Sequence, residues 1–246
     1  MLMLALGLLA LAVVLFVGLT FWRRRSPAAL RLITAYEQLN RSVGLAVESG
    51  TRLHISLGRG NFLTARGGSA LAGLSMLRRL AERTSLSDRP PVVTSGDASL
   101  AILSQDTLQA GYRAAGAQEQ YRFTTGRLAG LTPFSYAAGT LSTIHDENVS
   151  ANIVLGDLGA ESALLAEASD RENTSLIAAS DDLAAQAVFF ASSQEPLIGE
   201  ELFAAGAYVG AGASHEASLH VQDILRWLII LAILIGSLLK LVGAPI

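Results

Sequence analysis

Apolar residues crowd the two ends of this chain and fall into periodic patterns between them. Met1 to Trp22 is an uncharged apolar run with one hydroxyl, Thr20, closed by Arg23-Arg24-Arg25. A helix of that length rises roughly 33 Å, against about 30 Å for a hydrocarbon core. A second run, Trp227 to Leu239, has thirteen residues. Counted from Ile224 to Val242 it has nineteen, with Arg226 and Lys240 near its ends, where long cationic side chains reach the headgroups. The pattern predicts two transmembrane helices, over 1–25 and 223–246, flanking a domain at 26–222. Trp22 and Trp227 are expected at one membrane interface. An amphipathic segment that never crosses is the alternative for the second run.

Within the domain the hydrophobic period keeps switching. Ala28 to Val47 has helical spacing, and Arg52 to Leu57 alternates as a strand does. Ser69 to Arg83 carries Leu71, Leu74, Leu77 and Leu80, a helix by period. After the Pro90-Pro91 break come a short strand, Val92 to Thr94, and a helix, Ala98 to Ala115. Strand-like pieces follow at Arg122 to Thr124 and Phe134 to Tyr136, among Gly126, Gly130, Pro133 and Gly139. The unit then repeats: strand Ala151 to Leu155, helix Ala160 to Ala168, strand Ser175 to Ala179, helix Leu183 to Ala187. A last strand at Val188 to Ala191 and one helix from Pro196 through Tyr208 complete the expectation. Short apolar strands alternating with helices predict an α/β domain, its parallel or mixed sheet covered by helices on both faces.

Composition narrows the chemistry. With no cysteine, disulfides, thiolate nucleophiles and Fe–S clusters are excluded. Lys240, the only lysine, is in or beside the second apolar run, so neither a Walker-A lysine nor a Schiff-base lysine is available to the domain. The net charge of −3 offers no footprint for nucleic acid. The charge is uneven, however. Residues 26–130 hold twelve Arg against seven acids, whereas 131–222 hold one Arg against thirteen acids. Either the halves interleave and neutralise each other, or acidic and basic faces meet in neighbouring copies.

The arginine triplet follows the first apolar run and no basic residue precedes it, which predicts an outside N-terminus and a cytoplasmic domain. The long, Arg-flanked core favours a signal anchor over a cleaved signal peptide. A full second crossing puts both termini outside. The sequons at Asn40, Asn148 and Asn173 then carry no meaning.

Ligands of α/β sheets bind beyond the strand carboxyl ends. Here those ends carry Gly58-Arg59-Gly60, Thr94-Ser95-Gly96-Asp97, Gly156-Asp157-Leu158-Gly159 with Glu161, and Ser180-Asp181-Asp182. If the strands are neighbours, these residues line one polar crevice suited to an anionic or hydroxylated small molecule. The same residues also serve ordinary βα turns and helix caps. Gly58-Arg59-Gly60 fails the dinucleotide fingerprint, since the third glycine falls at Leu63. His54, His145, His215 and His220 lack metal spacing, no serine elbow is present, and no catalytic residue, cofactor or metal is expected. Glu200-Glu201, neighbours on a helix, face about 100° apart and suit packing rather than shared proton chemistry. With Gly206 and Gly210 they form a candidate packing or oligomer segment.

Glu48-Ser49-Gly50, Leu53 to Gly58, Thr94 to Asp97, Ala151 to Gly156, the run PLIGEELFAAGAY from Pro196 to Tyr208, and Gln222 to Trp227 together resemble an uncharacterised prokaryotic family of membrane-anchored domains. The resemblance covers most of the domain and implies no activity, substrate or catalytic residue. The expectation is a non-enzymatic two-span protein, bound to the lipid bilayer, whose domain self-associates into a ring or shell. A membrane-tethered module that binds a small molecule in the crevice is the alternative. An enzyme of lipid or envelope precursors ranks last.

Overall fold

The computed structural model describes residues 2–26, 29–61 and 67–241. The expected helix start at Ala28 and span end at Val242 lie outside the described residues. The chain divides into two compact units, Met1–Leu30 with Gly212–Ile246, and Arg31–Ala211.

The first unit is a helical pair. α1 (Leu2–Arg23) packs against α9 (Ala213–Leu241). Both helices are long and apolar enough to cross a membrane. The second apolar run is thus the end of a 29-residue helix that starts well before it. The register is fixed where α1 ends: Arg23 Nη2 lies 2.5 Å from His220 Nε2, and His220 Nδ1–H donates to the Glu216 carbonyl at 2.9 Å.

The second unit contains a five-stranded, wholly parallel sheet in the order β3-β2-β1-β4-β5. The strands are β1 (Arg52–Ser56), β2 (Val92–Ser95), β3 (Gly126–Leu128), β4 (Val149–Gly156) and β5 (Ser175–Ser180). Parallel strands need crossovers, and helices supply them. α2 (Thr34–Ser49), α3 (Gly67–Thr84) and α4 (Ala98–Ala114) bury Leu39, Val43, Leu77, Leu80 and Leu108 in one core with Leu53, Ile55, Val93, Ile153 and Ile177. α5 (Pro133–Asp146), α6 (Ser162–Arg171) and α7 (Leu183–Ser192) bury Tyr136, Leu165 and Phe189 in another, with Val154, Leu176 and Ala178. The alternating residues Ile153 and Val154 belong to different cores, so both sheet faces are covered.

Four local expectations change. Arg122 to Thr124 is not a strand: Phe123–Thr125 is a 3-10 turn, and β3 begins after it at Gly126. Phe134 to Tyr136 is the first turn of α5: Thr132 caps it, accepting from Ser135 N–H at 3.3 Å, and Pro133 occupies the first helical position. Val188 to Ala191 continues α7, because Asp182 starts that helix and no turn residue interrupts it. Pro196 to Tyr208 is not one helix. Leu197 bridges Ala179, a 3-10 stretch spans Gly199–Ala204, and α8 is only Ala205–Tyr208.

Candidate functional site

Chain direction reverses between β1 and β4: β2 and β3 build out on one side, β5 on the other. That seam is the switch point at which doubly wound sheets open a crevice. Here the carboxyl ends of β1 and β4 close upon each other. Arg59 N–H donates to the Asp157 carbonyl at 2.8 Å, and Gly96 N–H donates to the Gly58 carbonyl at 2.8 Å. Gly58 has φ +67°, and a Cβ there would stand 2.5 Å from Asp157 O. Gly156 has φ +122°, and its Cβ would stand 2.4 Å from Leu57 O. Glycine at both positions is what lets the two backbones touch.

The polar side chains at these ends face one another. Arg59 Nε donates to Glu161 Oε1 at 2.7 Å, and the Glu161 side chain is only 3% exposed. Burial pushes that carboxyl up. The N–H groups of Gly159 and Glu161 and the Arg59 guanidinium outweigh it and hold the pKa below the ordinary carboxylate value. Asp97 is the N-cap of α4, accepting from Ser99 N–H at 2.9 Å, Leu100 N–H at 3.2 Å and Asn61 Nδ2 at 3.3 Å. Hydrogen bonds, that of the Ser99 hydroxyl foremost, lower its pKa. Gly60 is buried, and the buried Ser95 hydroxyl has no partner among the described residues.

Thr94 belongs to a different construction. Its hydroxyl lies 2.8 Å from His54 Nε2, while His54 Nδ1 lies 2.6 Å from Asn152 Oδ1. Asn152 donates through Nδ2 to Ser169 Oγ at 2.8 Å, which leaves Oδ1 to accept from His54 Nδ1–H. Thr94 then donates to His54 Nε2, and Thr140 donates to Thr94 at 3.5 Å. Burial lowers the His54 pKa to about 4, so the ring is neutral. This chain of hydrogen bonds crosses β2, β1 and β4 beneath α5 and α6, away from solvent. Beside it, Tyr136 OH bonds Ser56 Oγ and accepts Gly58 N–H at 3.2 Å, tying α5 to the seam.

The structure thus brings together Gly58, Gly96, Gly156, Asp157 and Glu161, with Asp97 alongside, and buries Thr94 under the helices. Arg59, one of the expected strand-end residues, and Tyr136, absent from the expected site, do the joining. Arg59 is legible as the one cation among converging acidic loops; Tyr136 falls in the stretch read as a strand. Of the expected packing segment, Glu201 is an ion-pair partner of Arg31, accepts from Ile198 N–H at 3.2 Å and presents its carbonyl to Tyr36 OH. Gly206 is buried, whereas Glu200 and Gly210 are at the surface. Among the described residues, no three His, Cys, Asp or Glu side chains cluster as metal ligands do.

Charge follows the sheet. Residues 157–195, around α6, β5 and α7, carry eight carboxylates and one arginine, Arg171. Residues 98–130, from α4 through β3, carry three arginines and two carboxylates. One edge of the sheet is strongly acidic, while at the other the charges nearly balance, since Arg127 is ion-paired with Glu147.

Neither a curated protein nor a solved structure matches this chain. One family model does, over residues 1–246, and the chain belongs to that family, DUF6754, a domain of unknown function.

Proposed function

We propose that this is a non-enzymatic membrane protein with two spans, whose α/β domain self-associates head to tail into a ring or shell on the cytoplasmic side. The observation that carries this reading is the charge gradient along the sheet, from the β3 side, where arginines and acids nearly balance, to the acidic edge at α6, β5 and α7. A dipolar body attracts the opposite edge of its own copy, a heterologous contact that yields closed rings when the rotation closes. The helical pair favours closure, since anchoring in a bilayer confines neighbours to rotation about the membrane normal. The state of the β1/β4 seam supports the same reading: its charged groups are engaged with each other. Arginines at the end of α1 support a cytoplasmic domain with both termini outside.

Sizing of a mild-detergent extract tests self-association, and a particle of one protomer's mass would end it. Carbonate washing of membranes tests the anchoring. Protease added to sealed, right-side-out cells tests the sidedness, which fails if the domain is cleaved.

A second reading, a membrane-tethered module that binds an anionic or hydroxylated small molecule, has one observation in its favour. Gly58, Gly96, Asp97, Gly156, Asp157 and Glu161 gather at the switch point, beside the Ser95 hydroxyl, which has no partner among the described residues. Thermal-shift screening of nucleotides and small acids tests it, with Asp97→Ala and Asp157→Ala as controls.

A further inference from the structure

A cavity of about 390 Å³ opens at the amino end of β5, the opposite end of the sheet from the β1/β4 seam. That is toward the small end of ligand sites, which run from about 300 to about 1,000 Å³. Its walls are the last turns of α6 and α7, the start of β5 and one side of α2. Space remains there because the side chains are short: Ala166 and Ser169 on α6, Ser175 on β5 and Ser192 on α7. The hydroxyls are committed to the fold. Ser169 Oγ donates to the Leu165 carbonyl at 3.0 Å and accepts from Asn152 Nδ2 at 2.8 Å. Ser192 Oγ donates to the Val188 carbonyl at 2.9 Å, and Ser175 Oγ accepts from Gln38 Nε2 at 3.1 Å. Other polar groups are left over. Among the described residues, no hydrogen bond or ion pair engages the side chains of Asp170, Asn173 and Gln194, and the buried Oε1 of Gln38 has no donor.

The charge here selects a cation. The Asp170 carboxylate is joined by the carboxyl ends of two helices, α6 and α7, each a partial negative charge. Arg171, the cation of that last turn, is paired with Glu167 and does not line the cavity. Gln38 and Gln194 also line a second cavity, of about 260 Å³, together with Glu37, Glu195 and Arg41. Carboxylates therefore stand on both sides of the two glutamines. No aromatic side chain lines either cavity among the described residues, so a nucleobase or a quaternary ammonium finds no ring face to stack on. We propose that these adjoining cavities bind a linear aliphatic amine with two or more ammonium groups, a diamine or polyamine. One ammonium pairs with Asp170, the chain passes Gln38 and Gln194, and the next ammonium meets Glu37 and Glu195. The leftover Gln38 carbonyl and the Asn173 and Gln194 amides supply the hydrogen bonds that orient it. The site is separate from the strand-end crevice and does not depend on self-association.

Calorimetric titration of the full-length protein in a non-ionic detergent tests this, with putrescine and spermidine as probes and butanediol as the neutral counterpart of putrescine. The expected result is saturable binding of both amines and none of the diol. Asp170→Asn, at an exposed position the fold does not use, is expected to weaken binding about tenfold, the size of one lost hydrogen bond to a charged group. Glu172→Gln removes the same charge two residues on, outside the cavity, where the carboxylate pairs with His145. It is expected to leave binding within about twofold, as a screened surface charge does. Equal losses in D170N and E172Q mean attraction to the acidic surface alone and overturn the site. Binding of the diol as tight as that of putrescine overturns the choice of a cation. Neither heat nor a shift in thermal midpoint with either amine overturns the proposal outright, and leaves self-association standing.

Discussion

Arg59 and Glu161 meet across the β1/β4 seam at 2.7 Å, the arginine side chain 25% exposed and the glutamate 3%. A crevice that topology opens is here bridged by a charged pair lying over two glycine contacts. Breaking such a pair strands a charge, at about 3–5 kcal/mol when both partners are buried and less when one reaches water. Glu161→Gln is expected to lower stability by about 1–3 kcal/mol, read as a fall of several degrees in the thermal midpoint of the detergent-solubilised protein. The folded carboxyl has a lowered pKa. Its contribution is therefore complete above the ordinary carboxylate pKa and disappears as pH falls through the folded value. Parent and variant melting curves should converge in acid.

His54 predicts a second pH dependence, at higher pH. Its pKa is about 4 in the folded protein and about 6.5 in an unfolded chain. Between those values the unfolded chain binds a proton that the folded one refuses. Stability is full above about pH 6.5 and falls as pH drops toward 4, by at most about 3 kcal/mol. Melts of the parent from about pH 7.5 to about pH 4 should show this loss. A His54→Asn variant should start less stable and lack that slope.

Glycines divide into two kinds. Gly58→Ala places a Cβ 2.5 Å from the Asp157 carbonyl oxygen at a φ of +67°, and should cost at least 2 kcal/mol, about the scale of strained or overpacked sites. Gly44→Ala, in mid-α2 with no atom within 4 Å of the new methyl, should stabilise by about 0.5–1 kcal/mol. Paired thermal melts read both, and equal effects would refute the assignment of Gly58 to a close backbone approach.

Tyr136→Phe keeps the ring and removes the hydroxyl that accepts Gly58 N–H and bonds Ser56. Loss of that buried partner should cost about 1–3 kcal/mol. Hydrogen exchange is the sharper measurement, because the Gly58 and Gly96 amides should exchange faster in the variant while those of α2 do not.

Four of the five strands were legible because they are short apolar runs bounded by turn residues, and Leu53, Val93, Ile153 and Ile177 all lie in one core as their pattern requires; β3 was not, because Gly126-Arg127-Leu128 carries no apolar run. Convergence of the strand ends follows from order 3-2-1-4-5, which hydrophobic period cannot reveal; only the pairing of Leu53 with Ala151 does. α5 was hidden by its glycines and proline. Pro133 reads as a breaker although it sits where helices accept one, and Gly139 reads as a loop residue. In fact a Cβ at Gly139 would stand 2.3 Å from Ala129 O, so the helix needs a glycine to pack. α7 was cut short for a related reason: Val188-Phe189-Phe190 has β-forming residues, yet the cap at Asp182 and the burial of Phe189 keep it helical. The Arg59–Glu161 pair joins residues 102 positions apart, and no local pattern encodes such a distance.

The pairing of β1 with β4 also sets a timetable for synthesis. His54 meets Asn152 across 98 residues of chain. At about 5–20 residues per second on the ribosome, the central strand waits on the order of 5–20 s for its neighbour to emerge. Throughout that interval Leu53 and Ile55 lack one of the two strands that flank β1. The nascent polypeptide therefore faces a hazard of misassociation while β1 is exposed without its partner, and chaperone demand should peak before β4 leaves the exit tunnel.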